Sequence, residues 1–362
     1  MTDATSASSG QAERPVRWIE VWARAVVVPA WRRATAAWFG CGIVAAVVFG
    51  SAGMRASDLT GLALYDPGVG IVLAATWLLV FAPTARAIVR AAPAAYLASL
   101  PGDPRTARFV AVLALVELQL PWVALWILGE GLIGGAVVVA TTAVVVALAS
   151  WRPPSVRARF PAWRRDGEAL RSIHVRALRR RAGDALVRGA GLAVLAGAAG
   201  GLVVRNNQLT GETAGVLATS IIAVVLVPAQ VGAALVTLGA HRETAWPAAA
   251  FGIARRTRIV ALVYAIAVVH LAAAAIAVLA AMIVSGPNGW LPVLALGVAL
   301  GTSLGEARAM LVYEDSPTVA ARVVVGAIVV AAIAVVCLAV LGAAGAIAMI
   351  AIGAFALLTV AP

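Results

Sequence analysis

Ten apolar stretches, separated by charged or turn-forming residues, divide this sequence. They cover roughly 35–54, 68–85, 108–128, 131–150, 188–204, 213–239, 259–284, 289–308, 322–341 and 343–361. A bilayer core about 30 Å thick needs roughly 20 apolar residues for each crossing helix. The pattern therefore predicts an all-α polytopic membrane protein with about 10 transmembrane helices. In the last pair, Gly342 to Gly345 must form a tight turn.

The polar positions between the stretches are unequal. Gaps after the odd spans are short: 55–67, 129–130, 205–212 and 285–288. Gaps after the even spans hold Arg86, Arg90, Arg105 and Arg108, then the loop 151–187, then Arg242, Arg255, Arg256 and Arg258, then Arg308 and Arg322. All 28 basic residues are arginine, and only Arg55 and Arg205 fall on the other side. Short loops rich in Lys and Arg remain in the cytoplasm. Both termini are thus expected to be cytoplasmic, in a bacterial cytoplasmic (inner) membrane.

Residues 1–13 (MTDATSASSGQAE) are polar and read as a disordered N-terminus, with no cleavable signal peptide. The following segment, 14–33, is too charged to span. Arg17, Glu20 and Arg24 share one helical face and Trp18, Val21, Trp22 and Ala25 another. Such a helix lies in the interface plane, as an elbow leading into the first span. The basic loop 151–187 carries ten arginines; its proline-broken beginning gives way near Asp166 to a helix with Leu170, Ile173 and Ala177 along one face. The same order, a basic amphipathic helix, two spans, a basic loop and two more spans, occurs twice, as a parallel internal repeat would produce. The expected units are a four-helix membrane unit at 34–150, a second at 188–311 and a C-terminal helix pair at 312–362.

Composition changes this picture little. The chain of 362 residues is 62% hydrophobic and 12% charged, against about 25% charged in soluble domains. Its formal charge of +12 is accounted for by orientation, so nucleic acid is not an expected partner. Cys41 and Cys337 lie inside spans without metal-ligand spacing and read as packing residues. No HExxH, CxxC or phosphate-loop motif is present, so no catalytic, cofactor-binding or metal site is expected.

Polar residues inside the hydrocarbon are the candidates for chemistry, since each ionised one costs about 2.5–3.5 kcal/mol on insertion scales. The candidate intramembrane polar site comprises Glu117, Gln119, Gln230, Tyr264 and His270. Glu117 reads as a proton or substrate site, or as a protonated carboxyl bonded to a neighbouring helix. His270 reads as a packed neutral imidazole or as a relay member. Glu306 and Arg308 are expected to snorkel to the interface. Runs of small residues (GCGIVAAVVFGSAG, GLAVLAGAAGG, LGAAGAIAMIAIGAFA) allow close helix approach, within one chain or between two.

The elbow segment Pro15–Arg33 and the loop Arg86–Arg108, with YLASLPGDPRTARFVAVLAL around its Leu-Pro step, resemble the membrane-spanning permease subunits of bacterial ABC exporters. That resemblance implies a cytoplasmic ATPase partner that binds and hydrolyses ATP. It also implies loops that dock the partner, and an amphipathic substrate such as a peptide, lipid or drug-like molecule. The candidate docking residues are Arg90, Pro101, Asp103, Arg105 and Arg108 in one loop, and Trp246, Arg255, Arg256 and Arg258 in its counterpart. Many such permeases have six spans, where ten are expected here. Membrane lipid and a second subunit, as homodimer or heterodimer, complete the expected partners. Two other readings compete. One is a proton-coupled secondary transporter using Glu117, and the other a non-catalytic scaffold binding through loop 151–187.

Overall fold

The computed structural model describes residues 18–51, 53–90, 104–150 and 166–360, and every regular element among them is a helix. In chain order these are α1 (Trp18–Trp22), α2 (Val28–Ala45), α3 (Ala56–Tyr65), α4 (Pro67–Val89), α5 (Pro104–Leu118), α6 (Leu120–Ser150) and α7 (Asp166–Arg181). They continue as α8 (Gly183–Asn206), α9 (Gly211–Ala229), α10 (Val231–Ala250), α11 (Arg255–Ser285), α12 (Trp290–Val312), α13 (Val319–Leu341) and α14 (Ala344–Leu358). Seven of them (α4, α6, α8, α9, α11, α12 and α13) are long and apolar enough to cross a membrane. Shorter apolar helices occupy Trp38–Gly50, Phe109–Leu118 and Ala344–Leu358. The chain is a helical polytopic membrane protein.

The N-terminal amphipathic segment enters the first apolar stretch without a break. A π-helical turn at Ala23–Val27 joins α1 and α2 into one rod, which a second at Ala46–Ser51 extends. Trp22, Val26, Ala30 and Ala34, four residues apart, form its buried stripe, while Glu20 and Arg24 face outward. Residues 1–13 and the beginning of the expected elbow lie outside the described residues.

Several expected boundaries change. The stretch 55–67, expected as a loop, holds the helix α3. The stretch 108–128 is interrupted at Gln119, between α5 and α6. Pro121 has no N–H to give the Glu117 carbonyl, which favours a break there. α6 itself folds back on itself at Gly131, whose φ of 56° suits glycine. Trp122 Nε1 then donates across the two arms to Thr141 Oγ1 at 2.9 Å. The stretch 213–239 divides at Gln230, two residues after Pro228, and its second part runs on to Ala250.

α8 is the central helix, packed against α4, α9 and α11. Lipid tails are as apolar as leucine, so spans associate through close packing. A Cβ on Gly197 would overlap the Ala277 carbonyl, and one on Gly201 would lie 2.7 Å from the Ala281 carbonyl oxygen. Both positions advance together, so α8 and α11 run parallel. α12 and α14 repeat the device: a Cβ on Gly297 would lie 2.8 Å from the Ala346 Cβ, and one on Gly301 2.6 Å from the Met349 carbonyl carbon. Two of the three small-residue runs are thereby used inside the chain.

The two exceptional arginines have local partners on the arginine-poor side. Arg205 lies 2.9 Å from Asp66, the N-cap of α4, and this guanidinium holds the Asp66 carboxyl below its usual range. The Arg55 backbone N–H donates to Asp58 at 2.8 Å, capping α3.

Candidate functional site

Three of the core helices continue past the apolar layer on the arginine-rich side. α7 runs into α8 with a single interruption at Ala182, α9 runs into α10 through Gln230, and α11 begins with Arg255, Arg256 and Arg258. α7, α10 and the beginning of α11 pack into a three-helix stalk. Leu170, Ala248 and Ala261 close its far layer, and Leu178, Ala182, Ala233 and Ala265 the layer next to the membrane core. At 1.5 Å per residue α7 is about 24 Å long. The polar face of α7 keeps Arg171, Arg179, Arg180 and Arg181 exposed. Arg181 reaches Glu243 of α10 at 2.6 Å, an exposed pair that orients the helices more than it stabilises them.

The tip of this stalk is the turn between α10 and α11. Trp246 is 80% exposed and Phe251 83% exposed there, beside the exposed Arg255 and Arg256. The expected loop from His241 to Arg258 is therefore mostly helix, with only 251–254 outside it.

Two histidines are buried inside the stalk. The rings of His174 and His241 are 5.9 Å apart, and His174 Nδ1 bonds the Leu170 carbonyl at 2.7 Å. Burial, then the charges of His174, Arg258 and Arg255, push His241 down to about 4; burial also lowers His174. The unfolded chain takes up these protons near the ordinary 6.5, the folded chain only at lower pH. Stability is complete above that value and is lost as pH falls from 6.5 towards 4, by on the order of 3 kcal/mol for His241. Hydrogen exchange in α7 and α10 should rise over this window. His174→Leu with His241→Leu should flatten the response.

Below the stalk, within the apolar layer, α11 and α12 bring His270 and Glu306 together. Nε2 and Oε2 are 3.1 Å apart, and the two side chains are 1% and 0% exposed. Glu306 thus does not snorkel as expected; it is enclosed by the packing of α12 against α11 and α14. The other imidazole nitrogen, Nδ1, lies 3.1 Å from the Ile266 carbonyl and so carries a proton. The pair then needs one further proton, on Nε2 or on the carboxyl, to be attractive. Neither carboxylate oxygen has a well-aligned donor among the described residues. The arrangement can hold one proton at a buried site and release it if the helices move.

The other sequence candidates do not gather around this pair. Glu117 points outward from α5, among exposed Val112, Leu113 and Val116. Gln119 is buried and satisfied: its oxygen accepts from Trp77 Nε1 at 3.0 Å and its amide donates to the Leu115 carbonyl at 3.2 Å. Tyr264 is half exposed, under the guanidinium of Arg171 at 5.3 Å. Gln230 is 2% exposed with its Nε2 unpartnered among the described residues. It lines an apolar cleft of about 480 Å³ between the α7–α8 junction and α11, with Arg179 also on the wall. Arg90 Nε donates to the Ala149 carbonyl at 3.1 Å, tying the ends of α4 and α6. Arg105 and Arg108 fall at the start of α5, and Pro101 and Asp103 lie outside the described residues.

Sequence reasoning missed Glu306 as His270's partner and His174 as a stalk core residue. A signal for the first was present: His270 and Glu306 stand 15 and 16 residues from the facing ends of two helices joined by a short turn. An antiparallel hairpin puts such residues at one depth. Among the described residues no three His, Cys, Asp or Glu side chains converge as metal ligands would.

These features define the chain as a multi-pass helical membrane protein with a basic stalk on one side. Comparison with family models, curated proteins and solved structures finds no match.

Proposed function

We propose that this chain is the membrane-spanning permease subunit of an ATP-driven exporter, with ATP hydrolysed by a separate subunit. The observation that carries this reading is the stalk. Its three helices are the continuations of α8, α9 and α11, and the turn joining two of them carries two exposed aromatics beside arginines. Buried Trp and Arg residues dominate the energetics of protein contacts. A partner closing on the tip at Trp246, Phe251, Arg255 and Arg256 would push directly on the core helices.

By the positive-inside rule the stalk and both termini are cytoplasmic in a bacterial inner membrane, and ten spans cross it. The short helices α2 and α14 supply one span each, α5 with the first arm of α6 a third, and the second arm of α6 a fourth, beside the six other long helices. The cleft beside Gln230 suits an amphipathic substrate, since it offers an apolar wall, one unpaired amide and an arginine.

Affinity purification from native membranes tests the proposal. A phosphate-loop ATPase should co-purify, and Trp246→Ala with Phe251→Ala should reduce its recovery at least tenfold while leaving the chain folded. Recovery without any ATPase would refute the reading.

A second reading, transport driven by protons, gains from the buried His270–Glu306 pair and not from Glu117. Under it, Glu306→Gln would abolish transport by reconstituted chain that ATP and an ATPase leave unaffected.

A further inference from the structure

A second groove lies between α12, α13 and α14. It encloses about 410 Å³ and follows these helices from Gly301 to Tyr313, from Ala321 to Ile333 and from Met349 to Ala356. At 1.5 Å per residue the α12 wall is about 18 Å long. Its floor is apolar: Val325, Val329, Val330 and Ile333 on one side, Met349 and Ile352 on the other. The groove occupies the half of the apolar layer nearest the arginine-rich side.

Its charge is confined to that end. Arg308 and Arg322 both line the groove, and neither makes an ion pair among the described residues. Glu314 and Asp315, in the adjoining turn, pair with neither. The Arg322 guanidinium lies over the Tyr313 ring, 5.0 Å from its centroid. Contact with the ring restrains the guanidinium, whose planar fork of N–H donors suits a phosphate. Tyr313 thereby holds a forked donor at the mouth of an apolar channel.

We propose that this groove binds an anionic glycerophospholipid of the adjacent leaflet. Its phosphate would sit between Arg308 and Arg322, and one acyl chain would lie along Val325, Val329 and Ile352. Guanidinium groups match phosphate oxygens by paired N–H donors, and basic pockets between spans on the arginine-rich side select anionic headgroups. The length and apolarity of the channel select a lipid over a free phosphate, which would fill only the mouth. The assignment is independent of whether an ATPase drives the chain.

The full chain, reconstituted in nanodiscs of mixed phosphatidylglycerol and phosphatidylcholine and then released for native mass spectrometry, provides the test. Phosphatidylglycerol should remain bound in preference to phosphatidylcholine. Arg308→Ala with Arg322→Ala should lower its retention about tenfold. Val329→Trp, which fills the channel and leaves both charges, should lower it comparably. Glycerol phosphate, a headgroup without chains, should not displace the lipid. Equal retention of the two lipids by the wild-type chain would overturn the proposal. So would retention unchanged in both variants, or displacement by glycerol phosphate at lipid-equivalent concentration.

Discussion

Glu306→Ala should destabilise the chain by about 3–5 kcal/mol, the range for removing one member of a buried charged pair. The carboxylate is fully buried and 3.1 Å from His270 Nε2. Without it, that nitrogen faces apolar neighbours with no partner, and a cavity the size of the lost side chain opens beside Ala307 and Met310. Water cannot compensate cheaply, because both side chains are enclosed, 1% and 0% exposed. Replacing both residues with leucine should recover most of the loss, because well-packed apolar residues often equal a buried pair. Unfolding of the detergent-solubilised chain in increasing SDS, measured for wild type, each single variant and the double variant, gives the coupling. Additive losses in the double variant would show that the two groups do not interact.

Gly197→Val should be nearly as damaging, by about 3 kcal/mol, the upper end of the usual cost of overpacking. The position tolerates no Cβ because α8 touches the backbone of α11 at Ala277. Relief requires the two helices to separate, and Gly201 four residues on would lose its contact with Ala281 at the same time. Gly42 is the internal control, since it is exposed and a Cβ there meets nothing within 4 Å. Gly42→Val should unfold at nearly the wild-type SDS fraction. Equal effects at the two glycines would mean that α8 and α11 are not in backbone contact.

The contrast between these glycines shows where the sequence is legible. Both sit in runs of small residues that look alike, and only the fold separates the one at a helix crossing from the one facing lipid. The same physics governs the polar candidates. In a soluble helix the apolar stripe marks the buried face, but in a membrane both faces are apolar and periodicity carries no such information. The apolar residues around Glu117 and Glu306 therefore do not tell which carboxyl is enclosed: Glu117, the mid-span candidate, faces outward, and Glu306, expected at the interface, is buried. Outside the bilayer the ordinary rule returns. The helix starting near Asp166 was legible from its spacing, and Leu170 does face the stalk core. Its stripe continues through His174 and Leu178 and not through Ile173 and Ala177. A buried histidine in an arginine-rich segment gives no apolar signal, so the expected stripe lies one residue away from the observed one. The breaks at Gln119 and Gln230 were foreshadowed by Pro121 and Pro228, although neither proline says whether the helix bends or ends.

The position of the stalk tip is what joins fold to function, and contact at Trp246 tests it most directly. A photoreactive benzoylphenylalanine placed at residue 246 and activated in native membranes should cross-link the chain to a phosphate-loop ATPase. The yield should change when ATP is added. Cross-linking only to lipid, or to no protein at all, would contradict the account.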